Sequence, residues 1–148
     1  MTANQIIAKV DELEPNQYST ELKLSWLSQL DGQIFEELIL THLPEHHHHR
    51  HHWKGNPLDQ ELPPHWCPND RREFVPYETG DEELIAQAPY GERMYIPYLQ
   101  GMIAAENSEV GKYNVEITRY NSAYLAFANW VNRHYMPSQP RGGSRFRF

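Results

Sequence analysis

An apolar seam in residues 108–135 constrains the fold of this chain more than any other feature. Apolar and aromatic residues recur there at alternating steps of three and four positions: Val110, Tyr113, Ile117, Tyr120, Tyr124, Phe127 and Val131. This spacing predicts a helix that packs along its whole length against other helices, with polar residues such as Glu116 in the remaining positions. Because the seam is largely aromatic, we expect it to bury much area in the same subunit or the next. Pro137 is expected to end the helix, since proline cannot continue it.

Two further helices are predicted in the N-terminal third of the chain. Thr2 followed by Gln5 is a capping-box pattern for the first helix, and Pro15 is expected to end it. Ser19 is the predicted N-cap of the second helix. Apolar residues of the second helix recur at every fourth position: Leu22, Trp26, Leu30, Ile34 and Leu38.

Gly32 interrupts this apolar stripe, and we interpret it as a place where another backbone comes close rather than as a kink. Residues 84–88 predict a short extended piece, and residues 91–107 predict another helix. Pro97 lies inside that helix, so we expect a kink or a later helix start. Gly101 is small enough for close contact between helices. The pattern as a whole predicts an all-α fold, a small bundle of about four helices with a long C-terminal helix.

The character of the sequence changes between about residues 42 and 80. Six of the eleven prolines and a run of histidines lie in this stretch, and no hydrophobic period is sustained. A connection of this length is either a functional loop or a segment that is disordered until something binds it. We predict one helical domain at residues 1–137 with this loop inserted, followed by an extended Arg/Phe-rich tail at residues 138–148.

Charge is distributed unevenly along the chain, whose formal net charge is -7. The last eight residues, RGGSRFRF, carry three arginines and no acidic residue. The remaining 140 residues hold 10 basic and 20 acidic side chains, which gives them a net charge of -10. An acidic body of this kind is a poor general nucleic-acid binder, because phosphate contacts need Lys and Arg.

Signals for secretion or membrane insertion are missing from the sequence. The N-terminal residues lack the basic and apolar regions of a signal peptide, and no apolar run approaches the roughly 18 residues of a membrane span. The single cysteine, Cys67, cannot form an internal disulfide, which suits a reducing cytoplasm. We therefore expect no membrane partner.

The histidine run is the most conspicuous chemical feature. Clustered imidazoles bind zinc, nickel or copper, and the weak metal-ligand candidates are His46, His47, His48, His49, His51 and His52. His65 and Cys67 could add ligands. A structural zinc site, however, needs separated ligands at tetrahedral angles, whereas adjacent side chains point in several directions. We interpret the run as a solvated loop and expect no bound metal or cofactor.

Catalytic motifs are likewise missing from the sequence. It contains no GxSxG, GxxxxGK[ST], GxGxxG, HExxH or CxxC motif. Cys67 with a nearby histidine is the only conceivable nucleophile pair, and separation in sequence says little about geometry. Glu36 with Glu37, and the acidic residues 81–83, are interpreted as solvated helix or loop faces rather than acid/base pairs. We expect no catalytic residues and no enzymatic activity.

Two stretches carry a family resemblance. They are VDELEPNQYSTELKLSWLSQLDGQIFEELI at residues 10–39 and RYNSAYLAFANWVNRHYMP at residues 119–137, and together they cover about a third of the chain. Their cores are Trp-Leu-Ser-x-Leu-Asp-Gly and Phe-Ala-Asn-Trp. These stretches resemble the head–tail connector, or adaptor, proteins of tailed phages and prophages, particularly those of Gram-positive bacteria. The His-rich loop is not part of the resemblance.

The resemblance implies a structural subunit of the virion neck, present in the host cytoplasm during assembly. Such adaptors form a homo-oligomeric ring beneath the portal protein, and a head-closure (stopper) or tail-completion protein binds below. Genomic DNA would pass through the ring without sequence-specific binding, and an acidic wall would repel its phosphates. Under this interpretation the tail contacts the portal through Arg141, Arg145, Phe146, Arg147 and Phe148. Contacts between subunits would use the loop residues Trp53 and Trp66.

Two alternatives remain open at the level of sequence. The chain could be another neck or packaging component, such as a head-closure protein or a small terminase-like DNA binder, although none of the predicted helices has a basic face. It could also be a metal-binding regulatory module built on the histidine run.

Overall fold

A computed structural model of the chain describes residues 1–42 and 73–134. Its α-helices are, in chain order, α1 (Ala3–Leu13), α2 (Thr20–Ile34), α3 (Gly91–Glu106) and α4 (Val110–His134). One turn of π-helix, Phe35–Ile39, follows α2 directly. No β-strand occurs within the described ranges, so the predicted all-α class with a long C-terminal helix is confirmed. Most of the predicted loop, Pro137 and the tail lie outside the described residues.

Side-chain caps begin α1 and α2 as predicted. The Thr2 hydroxyl accepts a hydrogen bond from the Gln5 backbone N–H at 3.3 Å, and the Gln5 side chain accepts one from the Thr2 N–H at 3.0 Å. The Ser19 hydroxyl accepts from the Leu22 N–H at 3.2 Å. Each cap of this kind stabilises a helix by about 1 kcal/mol, which fixes where both helices start.

The prediction for Gly32 is wrong as far as the described residues go, because its close neighbour among them is a side chain and not a backbone. A β-carbon at Gly32 would stand 3.4 Å from Cδ1 of Phe74. The helix geometry changes later, at the π turn, where the Leu40 N–H donates to the Phe35 carbonyl at 2.9 Å. Hydrophobic periodicity gives no sign of this turn. It keeps three apolar side chains in the core: Phe35, Leu38 and Ile39.

The most extensive helix pair of the described chain is α3 with α4. Gly101 permits the close approach that the sequence predicts, since a β-carbon there would stand 3.2 Å from Ile117 Cδ1. Further along the pair, the rings of Tyr98 and Tyr120 lie with their centroids 5.3 Å apart. The pair is antiparallel because only residues 107–109 connect the helices, and Ser108 makes the reversal with a φ of 60°.

Parts of the seam and helix predictions are wrong. Val110 is 68% exposed, because a straight helix drifts relative to a seven-residue repeat and its first seam position rotates away from α3. Glu116, expected among the polar outward positions, is only 7% exposed, since Gly101 opposite leaves room for its stem. Helix α3 begins at Gly91 and runs through Pro97, so the alternative of a later start is also wrong.

Residues 73–90 are irregular, yet they enter the hydrophobic core. Leu84, Ile85 and Ala86 are buried there among the residues of α1, α2 and α3. The predicted extended piece at residues 84–88 does not form a strand; Thr2 and Glu83 alone make an isolated antiparallel bridge among the described residues. The core therefore depends on this irregular segment as well as on the four helices.

Replacing Gly91 with alanine tests how tightly this segment packs. A β-carbon at Gly91 would stand 2.4 Å from the Ala86 carbonyl oxygen, which belongs to a buried backbone and has little room to move. We expect Gly91→Ala to lower the free energy of unfolding by about 1–3 kcal/mol, as overpacking does. The measurement is urea denaturation followed by far-UV circular dichroism.

Gly111 supplies the matched control, because a β-carbon there would meet nothing within 4 Å. Gly111→Ala should leave stability unchanged or raise it by up to about 1 kcal/mol through helix propensity. Equal stabilities for the two variants would contradict the packing described for Gly91.

Candidate functional site

The residues predicted to contact other molecules all lie outside the described residues. They are the tail residues Arg141, Arg145, Phe146, Arg147 and Phe148, the loop residues Trp53 and Trp66, and the histidines His46, His47, His48, His49, His51 and His52. Their roles stay predictions. Within residues 1–42 and 73–134, no group of three or more His, Cys, Asp or Glu side chains could hold a metal ion. The functional features described below were therefore not among the predicted ones.

A fully buried carboxylate on α2, Asp31, lies at the centre of the core. The hydroxyls of Tyr77 and Tyr95 each donate to it at 2.5 Å, and the Ile85 backbone N–H donates at 3.2 Å. The Tyr95 hydroxyl in turn accepts from the Ala86 N–H at 3.0 Å. These bonds tie α2, the irregular segment and α3 to one another.

The environment of Asp31 changes its ionisation. Burial raises the pKa of its carboxyl from 3.8 to about 6, although the hydrogen bonds from Tyr77, Tyr95 and Ile85 act in the opposite direction. Burial and the neighbouring carboxylate together raise the pKa of both tyrosine hydroxyls. The tyrosines therefore remain hydrogen-bond donors, and the proton that this cluster exchanges near neutrality belongs to Asp31.

The sequence did contain a signal for this cluster. Asp31 lies four residues after Leu27 and four before Phe35, so an acidic residue interrupts a row of buried apolar positions on one face of α2. Its partners Tyr77 and Tyr95 follow Asp31 in the sequence by 46 and 64 positions, respectively. No spacing rule relates them to α2.

The outward face of α4 carries no exposed acidic residue. Within Val110–His134 the only acidic residue is Glu116, and it is buried. Val115 and Leu125 are instead 52% and 60% exposed. The exposed positions around them include two arginines, Arg119 and Arg133, and are otherwise uncharged and mostly small or amidic: Gly111, Asn114, Thr118, Asn121, Ser122, Ala126, Asn129 and Asn132. This face differs sharply from the acidic remainder of the chain.

A groove lies between the start of α3 and the middle of α4, and we call it the arginine groove. Its volume is about 420 Å³, and its lining consists of Tyr90, Arg93, Thr118, Arg119, Ser122, Ala123 and Ala126. Arg93 is exposed and makes no ion pair with any described residue, while Arg119 reaches only the edge of Glu116 at 3.5 Å. The groove is therefore lined by two guanidinium groups and by three hydroxyl-bearing side chains.

Acidic residues concentrate in a different place, which we call the acidic turn, at residues 78–83. Glu78, Asp81 and Glu83 are exposed there. Glu82 accepts hydrogen bonds from the backbone N–H groups of Glu78, Thr79 and Gly80 at 3.0, 3.1 and 2.7 Å. Slight burial alone would raise the pKa of Glu82, but these donors lower it to about 2. The Glu82 carboxylate thus stabilises the backbone conformation of the turn.

Comparison with known proteins adds no relative. No family model, curated protein or solved structure matches the chain. Among the described helices, none is long and apolar enough to cross a membrane.

Replacing Asp31 with asparagine tests the ionisation of the buried cluster. A carboxyl whose pKa is raised on folding contributes stability below pH 3.8, and that contribution is lost as the pH rises through about 6. We expect the difference in unfolding free energy between wild type and Asp31→Asn to fall by about 2–3 kcal/mol between pH 4 and pH 7. Urea denaturation at several pH values measures this difference.

Glu12→Gln is the control for that series, because Glu12 is exposed and lies at the end of α1. It should follow the wild-type dependence at every pH. A constant difference between wild type and Asp31→Asn would show that the carboxylate titrates alike in the folded and unfolded chain.

Proposed function

We propose that this chain is a structural subunit of a phage virion neck, where it forms an adaptor ring between the portal and the head-closure or tail proteins. The observation that carries the proposal is the outward face of α4. It exposes Val115 and Leu125, its exposed charged side chains Arg119 and Arg133 are basic, and it presents no exposed acidic residue, in a chain with 20 acidic residues. Protein interfaces are depleted of Asp and Glu and enriched in Arg relative to the rest of the surface, so this composition favours a face that packs against another protein.

The placement of the two resembling stretches supports the phage assignment. Residues 10–39 and 119–137 are distant in sequence, but they meet in the fold, where the Tyr124 hydroxyl donates to Glu37 at 2.5 Å. The second stretch also carries Phe127 and Trp130, whose rings stack at 5.9 Å. The residues that carry the resemblance therefore belong to one packed unit rather than to two unrelated helices.

The alternative of a DNA-binding packaging protein has less support. Only six lysines and arginines lie within residues 1–42 and 73–134, and four of them form ion pairs: Lys9, Lys23, Lys112 and Arg119. A protein that grips duplex DNA needs many free cations along one face, because affinity depends on phosphate neutralisation. An acidic body instead suits the wall of a conduit through which DNA slides.

Copy number in purified particles tests the proposal. We expect quantitative mass spectrometry to find this protein and the portal in equal or nearly equal numbers, because a ring stacked on the portal repeats its subunits a similar number of times. Absence from mature particles would contradict a neck role, and a count in the hundreds would point to a capsid or tail-tube component.

Removal of the tail tests the assigned portal contact. A chain ending at Pro140 should fail to attach to portal-bearing capsids, because it lacks the arginine and phenylalanine residues assigned to that contact. Circular dichroism should show that the four described helices are retained, since all of them lie before the truncation point. A control that replaces Ser138 and Gln139 with alanine should attach normally. Normal attachment of the truncated chain would disprove the tail assignment without disproving the neck role.

A further inference from the structure

We infer that the arginine groove binds the acidic turn of a second copy of this chain. The inference gives the proposed ring its lateral contact and in that respect rests on the proposed function. The contact itself is independent of capsids and can be measured on the isolated chain.

The exposed positive charge of the groove, which a single 3.5 Å ion pair compensates only in part, is the first reason. Arg93 has no ion-pair partner among the described residues, and the Arg119 side chain remains 65% exposed. The other described cations on α1, α2 and the start of α4 are each paired with a carboxylate: Lys9 with Glu92, Lys23 with Asp11 and Lys112 with Glu14. Each of the two guanidinium groups beside the cavity presents a planar fork of donors that matches a carboxylate on an incoming chain.

The surroundings of the groove favour a protein over a free anion or a nucleic acid. The floor contains Ala123 and Ala126, and Val115 lies one helical turn from Arg119 on the same side of α4. An anion alone gains nothing from exposed apolar groups, whereas a protein segment covers them. Duplex DNA needs more phosphate contacts than two arginines supply.

A second copy is the favoured occupant because the chain itself carries exposed carboxylates, which complement the arginines, on a turn of defined conformation. The acidic turn exposes Glu78 and Asp81, and Glu82 holds the backbone of the turn through its three hydrogen bonds. The Asn4 side chain further anchors the turn to α1, donating to the Thr79 carbonyl at 3.2 Å and to Asp81 at 3.0 Å. A pre-organised segment loses little conformational entropy on binding.

Groove and turn are different surfaces, so the contact is heterologous. Each copy then uses its groove for one neighbour and its turn for the other, which is the type of contact that closes rings. A ring built this way uses none of the tail residues assigned to the portal contact above.

A charge swap between two variants tests the contact. One variant is Arg93→Glu with Arg119→Glu, and the other is Glu78→Arg with Asp81→Arg. Each variant alone would oppose like charges, whereas a mixture of the two pairs every reversed groove with a reversed turn. We expect wild type to self-associate in sedimentation-velocity experiments at low salt, with weaker association as salt screens the charges. Each variant alone should associate at least about tenfold more weakly, and the equimolar mixture should recover association.

Controls separate this contact from a general effect of charge. Arg133→Glu reverses an exposed arginine near the end of α4, and Glu12→Arg reverses an exposed glutamate on α1; both should associate like wild type. Circular dichroism confirms that each variant is folded. Wild type that stays monomeric up to about 100 µM overturns the inference, as do variants that associate normally or a mixture that fails to recover.

The outcome for the contact and the outcome for the neck role can be told apart. If the charge swap changes self-association as expected but the protein is absent from particles, the contact is supported and the neck role is disproved. Incorporation of both variants into particles at the wild-type copy number would disprove the contact and leave the neck role standing.

Discussion

The packing of the core depends on supplying hydrogen-bond donors to the buried Asp31 carboxylate. A carboxylate removed from water costs several kcal/mol unless donors surround it, and here three donors come from two other parts of the chain. Tyr77 and Ile85 lie on an irregular segment and Tyr95 on α3, so the cluster stabilises the core only when all of them are in place. Hydrogen bonds to Asp31, rather than regular secondary structure, hold residues 73–90 in position.

Helix α4 separates two kinds of surface. Its inner face packs against α3 at Gly101 and through contacts between aromatic rings, such as that of Tyr98 with Tyr120. Its outer face exposes Val115 and Leu125 and carries no acidic side chain, although the chain as a whole is strongly acidic. A helix of this length needs only one apolar face to join a small bundle. The second face therefore stays exposed within the described part of the chain.

The charge of the described chain is segregated in a way that suits assembly. Its three lysines are neutralised by intramolecular ion pairs, while Arg93 and Arg119 beside the groove retain exposed guanidinium groups. The densest acidic surface, residues 78–83, lies on a turn whose shape Glu82 maintains. Complementary patches on one chain give direction to self-association, since like patches repel and unlike patches attract.

The sequence by itself determined the helices and much of the core. The caps at Thr2 and Ser19, the start of α3 at Gly91 and the contact at Gly101 were all predictable, because each depends on neighbours within a few residues or on helical periodicity. Only the tertiary structure decided the contact of the Phe74 ring with Gly32, the burial of Glu116 and the partners of Asp31. The same holds for the residues that line the arginine groove. These features join residues that are distant in sequence, and their geometry exists only once the helices have packed.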